Sequence, residues 1–108
     1  MDREIAVMLL KKYNQEEFHL RHAVTVEAVM RYFAEKRGED VELWGLTGLL
    51  HDVDFEKYPE EHCVKAPELL AEIDAPEELV HAVCSHGYGI VSDVKPEKEM
   101  EKILFATD

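Results

Sequence analysis

Apolar residues recur at helical spacing along almost the whole chain, and the breaks in that rhythm fall at Gly38, Pro59, Pro67, Pro76 and Pro96. No alternating polar and apolar run of useful length competes with it, apart from the ambiguous stretch 89–94. The expected fold class is therefore all-α, a bundle of about five to six helices.

The breaks set the expected boundaries. Ile5, Met8 and Leu9 with Ala6, Leu10 and Tyr13 share helical spacing over residues 3–13, and Asp2 stands ready as the N-cap. A long amphipathic helix runs from about residue 17 to 37 and stops at Gly38. Asp40 caps a third helix through Leu43, Trp44, Leu46, Leu49 and Leu50, apolar on nearly every side and hence central, which ends at His51-Asp52. Pro67 and Pro76 each suit the first turn of a short helix. One holds Leu69, Leu70 and Ile73; the other runs through Leu79, Val80, Val83 and Cys84 towards Gly87, which can supply a left-handed C-terminal residue. Gly87-Tyr88-Gly89 reads as a turn, and Pro96 opens a last helix through Met100, Ile103, Leu104 and Phe105 to Asp108.

With 108 residues, 46% apolar and 33% charged, the chain is expected to form one domain over residues 1–108, neither disordered nor dependent on disulfides. Cys63 and Cys84 lack CxxC pairing and read as small buried helix residues. The 24 acidic against 12 basic residues leave a net charge of −12, which disfavours broad nucleic-acid binding. A small anionic substrate then requires a strong local positive charge, and a divalent metal is the best candidate. No apolar run approaches a membrane span and the amino terminus lacks a signal-type segment, so a cytoplasmic location is expected.

The histidines carry the chemical signal. His22 lies on the long helix, on one face with Val26, Val29 and Phe33, so that a neutral imidazole would point towards the core. His51-Asp52 closes the central helix, His62 precedes a helix, His86 ends one, and Asp108 closes the chain. Imidazoles and carboxylates gathered from separate helices are how bundles build metal sites. A histidine at such a place also serves simply as a core or capping residue. His19 and His81 are expected to do only surface or packing work.

The segments Leu20-Arg21-His22-Ala23-Val24, Leu49-Leu50-His51-Asp52-Val53-Asp54, Glu61-His62, Ala66-Pro67-Glu68-Leu69-Leu70, Ser85-His86-Gly87 and Phe105-Ala106-Thr107-Asp108 together resemble the HD domain of metal-dependent phosphohydrolases. The order His, His-Asp, Asp is the defining pattern of that superfamily, and the resemblance covers essentially the whole chain. It implies a first metal held by His22, His51, Asp52 and Asp108, and, as in two-metal members, further ligands at His62 and His86 with Asp52 bridging. It implies one or two divalent ions drawn from Mn, Fe, Zn, Ni or Co, a catalytic role for Asp52, and a nucleotide or other small phosphate ester as substrate. Two alternatives stand beside it: a di-iron oxygenase of the HD type, and an inactive metal- or nucleotide-binding module.

Relatives normally continue past the last aspartate with at least one further helix, so the chain is expected to be a truncated piece that lacks the C-terminal helices. A homodimer would cover the apolar edge this leaves. Val53-Asp54 stands where many relatives carry Ile-Gly, and Asp54 is either an outer partner of a ligand histidine or a solvated loop residue. Arg21, Lys57 and Lys65 are weak candidates for phosphate contacts; Tyr88 is either a surface turn residue or an aromatic lid.

Overall fold

The computed structural model describes residues 2–88 and 95–107. Helix α1 (Arg3–Tyr13) begins where Asp2 accepts the Ile5 N–H at 3.0 Å. Helix α2 (Glu17–Arg37) ends on Gly38 at φ 68°, with the Glu39 N–H returning to the Ala34 carbonyl at 2.9 Å. Helix α3 (Val41–Leu50) starts at Asp40, whose side chain accepts the Leu43 N–H. Residues Trp44 to Leu50 of α3 are all buried, as an all-round apolar helix must be. A 3₁₀ turn at Pro59–Glu61 follows, then α4 (Ala66–Ala71), α5 (Glu77–Ser85) and α6 (Glu99–Thr107). The element order is all-helical among the described residues, and no helix there is long and apolar enough to cross a membrane.

Two buried clusters hold the bundle around α3. One joins Leu9 and Leu10 of α1 to Leu46, Leu49 and Leu50 of α3, Leu69 and Leu70 of α4, and Leu79 and Val83 of α5. The other joins Met30 of α2 to Trp44 of α3 and to Met100 and Leu104 of α6. At Gly48 the backbones of α2 and α3 run close together, since an added Cβ would lie 2.9 Å from both the Met30 side chain and the Val26 carbonyl. A buried polar anchor also fixes α2: Glu27 accepts both Nε and Nη2 of Arg3 at 2.8 and 2.9 Å, and Arg31 as well.

Four details differ from the sequence expectation. Helix α4 stops at Ala71, before Ile73, because Asp74 adopts φ 51° and Ala75 donates back to the Leu70 carbonyl, so an aspartate does what is usually left to glycine. Pro76 is the residue before α5, outside its first turn, and α5 closes on His86 in right-handed geometry without a left-handed Gly87. Helix α6 begins at Glu99, three residues beyond Pro96, because the buried Glu101 carboxylate draws in the N–H groups of Glu97 and Lys98 at 2.8 and 3.0 Å. Cys63 is buried but belongs to a turn at φ 69°, not to a helix. The expectations for Gly89, for the stretch 89–94 and for Asp108 lie outside the described residues.

Candidate metal centre

All four histidines selected from the sequence, His22, His51, His62 and His86, meet Asp52 at one end of α3. His51 is the first residue beyond the helix, and its Nδ1 lies 2.6 Å from the Gly48 carbonyl. His86 repeats this at the end of α5, with Nδ1 2.5 Å from the Val83 carbonyl. A carbonyl oxygen only accepts, so both Nδ1 atoms carry the proton and both Nε2 atoms point away from their helices. His62 is turned by Asp54, whose Oδ1 accepts from Nδ1 at 2.6 Å while Oδ2 accepts the Cys63 N–H at 2.7 Å. Asp54 is fully buried, which decides between the two sequence readings: it is the partner of His62, not a solvated loop residue.

The Nε2 atoms converge in pairs. His22 and His51 face each other at 3.2 Å, His62 and His86 at 3.1 Å. Asp52 lies between the pairs and divides its oxygens among them. Its Oδ2 is 3.3 Å from His51 and 3.7 Å from His22; its Oδ1 is 3.1 Å from His62 and 3.2 Å from His86. Two facing ring nitrogens that both present lone pairs repel each other unless a cation lies between them. Nitrogens bound to one tetrahedral zinc at about 2.1 Å stand roughly 3.4 Å apart. The spacings found here are close to that, so the donor set fits metal ions.

The electrostatics run the same way. Burial opposes the Asp52 carboxylate, but hydrogen bonds from His51, His62 and His86 outweigh it and hold its pKa far below the usual carboxylate range. Burial likewise opposes the imidazolium of His62, yet its bonds to Asp52 and Asp54 push its pKa up to about 12. Desolvation opposes the charged form of His86 as well, and Asp52 and Cys63 outweigh it, raising its pKa to about 10. The rings of His62 and His86 are thus held where positive charge is favoured, whether a proton or a metal brings it.

Two groups could hold an ion: His22, His51 and Asp52; and His62, Cys63 and His86. Cys63 is a weaker donor than this grouping suggests. Its Sγ is 3.7 Å from Nδ1 of His86 and 3.9 Å from Nε2, so the sulfur flanks the ring instead of facing the nitrogen that looks towards Asp52.

Other expectations fare unevenly. The His22 side chain is 38% exposed and turned to this cluster, not into the apolar core. Arg21 pairs with Glu17 and Lys65 with Glu68 on the surface. His81 does more than pack, because its Nδ1 bonds the buried Glu101 carboxylate and so joins α5 to α6. Asp108 lies outside the described residues.

Residues that the sequence reading passed over hold the turn after the doublet. Asn14, buried at the end of α1, donates to the carbonyls of Leu10 and Val53 at 3.0 and 2.9 Å. Glu56 accepts the N–H groups of Gln15 and Glu16 and the Nδ1 of His19. Their one sequence signal is a cluster of polar residues at a helix junction, which points to no particular partner.

The family model of the HD domain matches residues 20–108. The chain belongs to the HD domain family. No curated protein and no solved structure gives a significant match. HD domains are characteristic of metal-dependent phosphohydrolases and typically bind divalent metals, and the matched span contains both candidate donor groups, His22, His51 and Asp52, and His62, Cys63 and His86.

Proposed function

We propose that this HD domain is a metal-dependent phosphohydrolase acting on a nucleotide or another small phosphate ester. His22, His51, Asp52 and Asp108 would hold one divalent ion, and His62 and His86 a second, with Asp52 shared between them. The observation that carries this reading is the division of the Asp52 carboxylate, one oxygen towards each facing pair of Nε2 atoms. Divalent ions held by these residues would supply Lewis acidity towards a phosphoryl oxygen and a bound water.

The residues themselves provide the rest. Nδ1 bonds to Gly48, Val83 and Asp54 fix three rings in one tautomer, so little reorganisation is needed when a ligand arrives. Asp52 and His22, 28% and 38% exposed at their side chains, leave the cluster open on one side for substrate. A cationic site also answers the −12 charge, which would otherwise repel a phosphate.

The test is a screen of the metal-reconstituted chain against nucleotides, sugar phosphates and phosphodiesters for release of inorganic phosphate or of a phosphomonoester, with and without oxygen. Oxygen-independent turnover that His51→Ala abolishes supports the proposal. Turnover only with iron and oxygen would select the oxygenase reading, and ligand binding without turnover the inactive module.

A further inference from the structure

A run of rings leads outward from the metal donors and is not used by them. Phe55 meets His62 edge-on with centroids 5.3 Å apart, His19 meets Phe55 at 5.6 Å, and Phe18 meets His19 at 5.7 Å. Phe55 is 41% and Phe18 75% exposed, and His19 between them is half-buried, 22% exposed at its side chain. His19 precedes His22 by one turn of α2, so the strip lies beside the open edge of the cluster.

The imidazole in the middle is held in place. Glu56 accepts from His19 Nδ1 at 2.9 Å and from the N–H groups of Gln15 and Glu16 at 3.0 and 3.2 Å, which ties its carboxylate to the junction of α1 and α2. His19 Nε2 has no hydrogen-bond partner among the described residues. It is arranged like His62, with a carboxylate orienting Nδ1 and Nε2 left for another group. An oriented, unpartnered imidazole nitrogen between two exposed phenyl rings is a poor fit for mere packing, which would favour an aliphatic side chain or a solvated lysine there.

We infer that Phe18, His19 and Phe55 form the leaving-group side of the proposed phosphate site and favour esters whose leaving group is a planar aromatic ring. The inference rests on the phosphohydrolase reading. The strip begins at His62, so a ring carried on the phosphate would start at Phe55 and run past His19. Flat rings offer faces and edges to an aromatic ligand that a puckered aliphatic ring of the same size cannot match, and the Nε2 of His19 can bond a polar atom on its rim. Three side chains at the mouth of a buried charge cluster make a surface suited to a small ring and too small for a protein partner.

Calorimetric titration of the zinc-loaded chain with three non-hydrolysable anions tests this: phenylphosphonate, cyclohexylphosphonate and methylphosphonate. The inference expects phenylphosphonate to bind about tenfold more tightly than cyclohexylphosphonate, the scale of a single stacking contact. Phe55→Leu should erase that preference and His19→Ala reduce it, while methylphosphonate binds all three proteins alike, which shows that fold and anion site are intact. Equal affinity for the two ring compounds in the wild type, or a preference that survives in both variants, overturns the inference alone. Failure of all three anions to bind overturns the phosphohydrolase reading and the inference with it.

Discussion

His51 and His86 occupy the same place on two different helices: each is the first residue past the last turn, and each bonds through Nδ1 to the carbonyl three residues back. One imidazole thereby does two jobs. It gives a last-turn carbonyl a short, well-placed donor, where among the described residues Gly48 otherwise has only the long 3.4 Å bond from the His51 N–H and Val83 only the Cys63 thiol at 3.7 Å, and it aims Nε2 at Asp52.

These two jobs separate by substitution. Asparagine keeps an N–H near the position of Nδ1 and has no atom at Nε2. His51→Asn is therefore expected to cost about 1 kcal/mol or less in stability while abolishing the first ion, and His51→Ala to cost about 1–3 kcal/mol more. Urea denaturation of the metal-free proteins, alongside their metal content, checks this. Equal stability of the two variants would contradict it.

Asp54 bears on the second ion through His62, whose Nδ1 it accepts from, while its other oxygen holds the Cys63 N–H. Replacing Asp54 by Asn places an amide N–H within reach of Nδ1 and favours the other tautomer, in which the nitrogen facing His86 carries the proton. We expect the second ion to bind about 10–100-fold more weakly and the first to bind unchanged. Competitive titration with a metal indicator resolves the two steps, and a uniform loss at both would refute the assignment.

In the metal-free protein the cluster sets a pH profile. The pKa values of His62 and His86 rise from an ordinary 6.5 to about 12 and about 10, so their stabilisation is complete below about 6.5, declines above it, and is gone once pH passes the folded values. Asp52 is shifted the other way, so its contribution is present above about 3.8 and is lost as pH falls. Metal-free protein should be most stable between about pH 4 and 6.5 and weaken towards alkaline pH. Added zinc should bind more tightly as pH rises, because it displaces the same protons. Denaturation at pH 5.5 and pH 9, with and without zinc, gives both slopes.

Gly48 makes the approach of α2 to α3 possible, and with it the meeting of His22 and His51. A methyl group there meets the Val26 backbone carbonyl, which cannot swing aside. Gly48→Ala should destabilise the fold by about 1–3 kcal/mol and weaken the first ion, whereas Gly38→Ala, which meets nothing within 4 Å, carries only the strain of its positive φ. Thermal melts of the two variants, set beside their metal content, separate these effects.

Much of this was legible in the sequence, because the helix boundaries rest on local chemistry. Asp2, Asp40 and Gly38 act within one turn of themselves, and the periodicity of α2 and the apolar density of α3 need no partner to be recognised. The misjudged features depend on contacts across the chain. Pro96 suggested a helix start, but Glu101 draws the preceding backbone into another arrangement. Asp74 takes a left-handed conformation without the glycine that would have announced it. His22 looked core-facing on periodicity and is turned instead to a polar cluster that three other segments assemble. Asp54 was legible only as one of two readings, and Asn14 and Glu56 were illegible as supports, since each reaches a partner about forty residues away.

In the proposed site Asp52 is shared by two ions. Elemental analysis of untagged protein purified without chelators, reconstituted with zinc or manganese and matched for folding by circular dichroism, tests it most directly across wild type, Asp52→Ala and His62→Ala. Two equivalents are expected in the wild type, one in His62→Ala and none in Asp52→Ala. Wild type that stays metal-free after reconstitution, or Asp52→Ala that retains both ions, would contradict it.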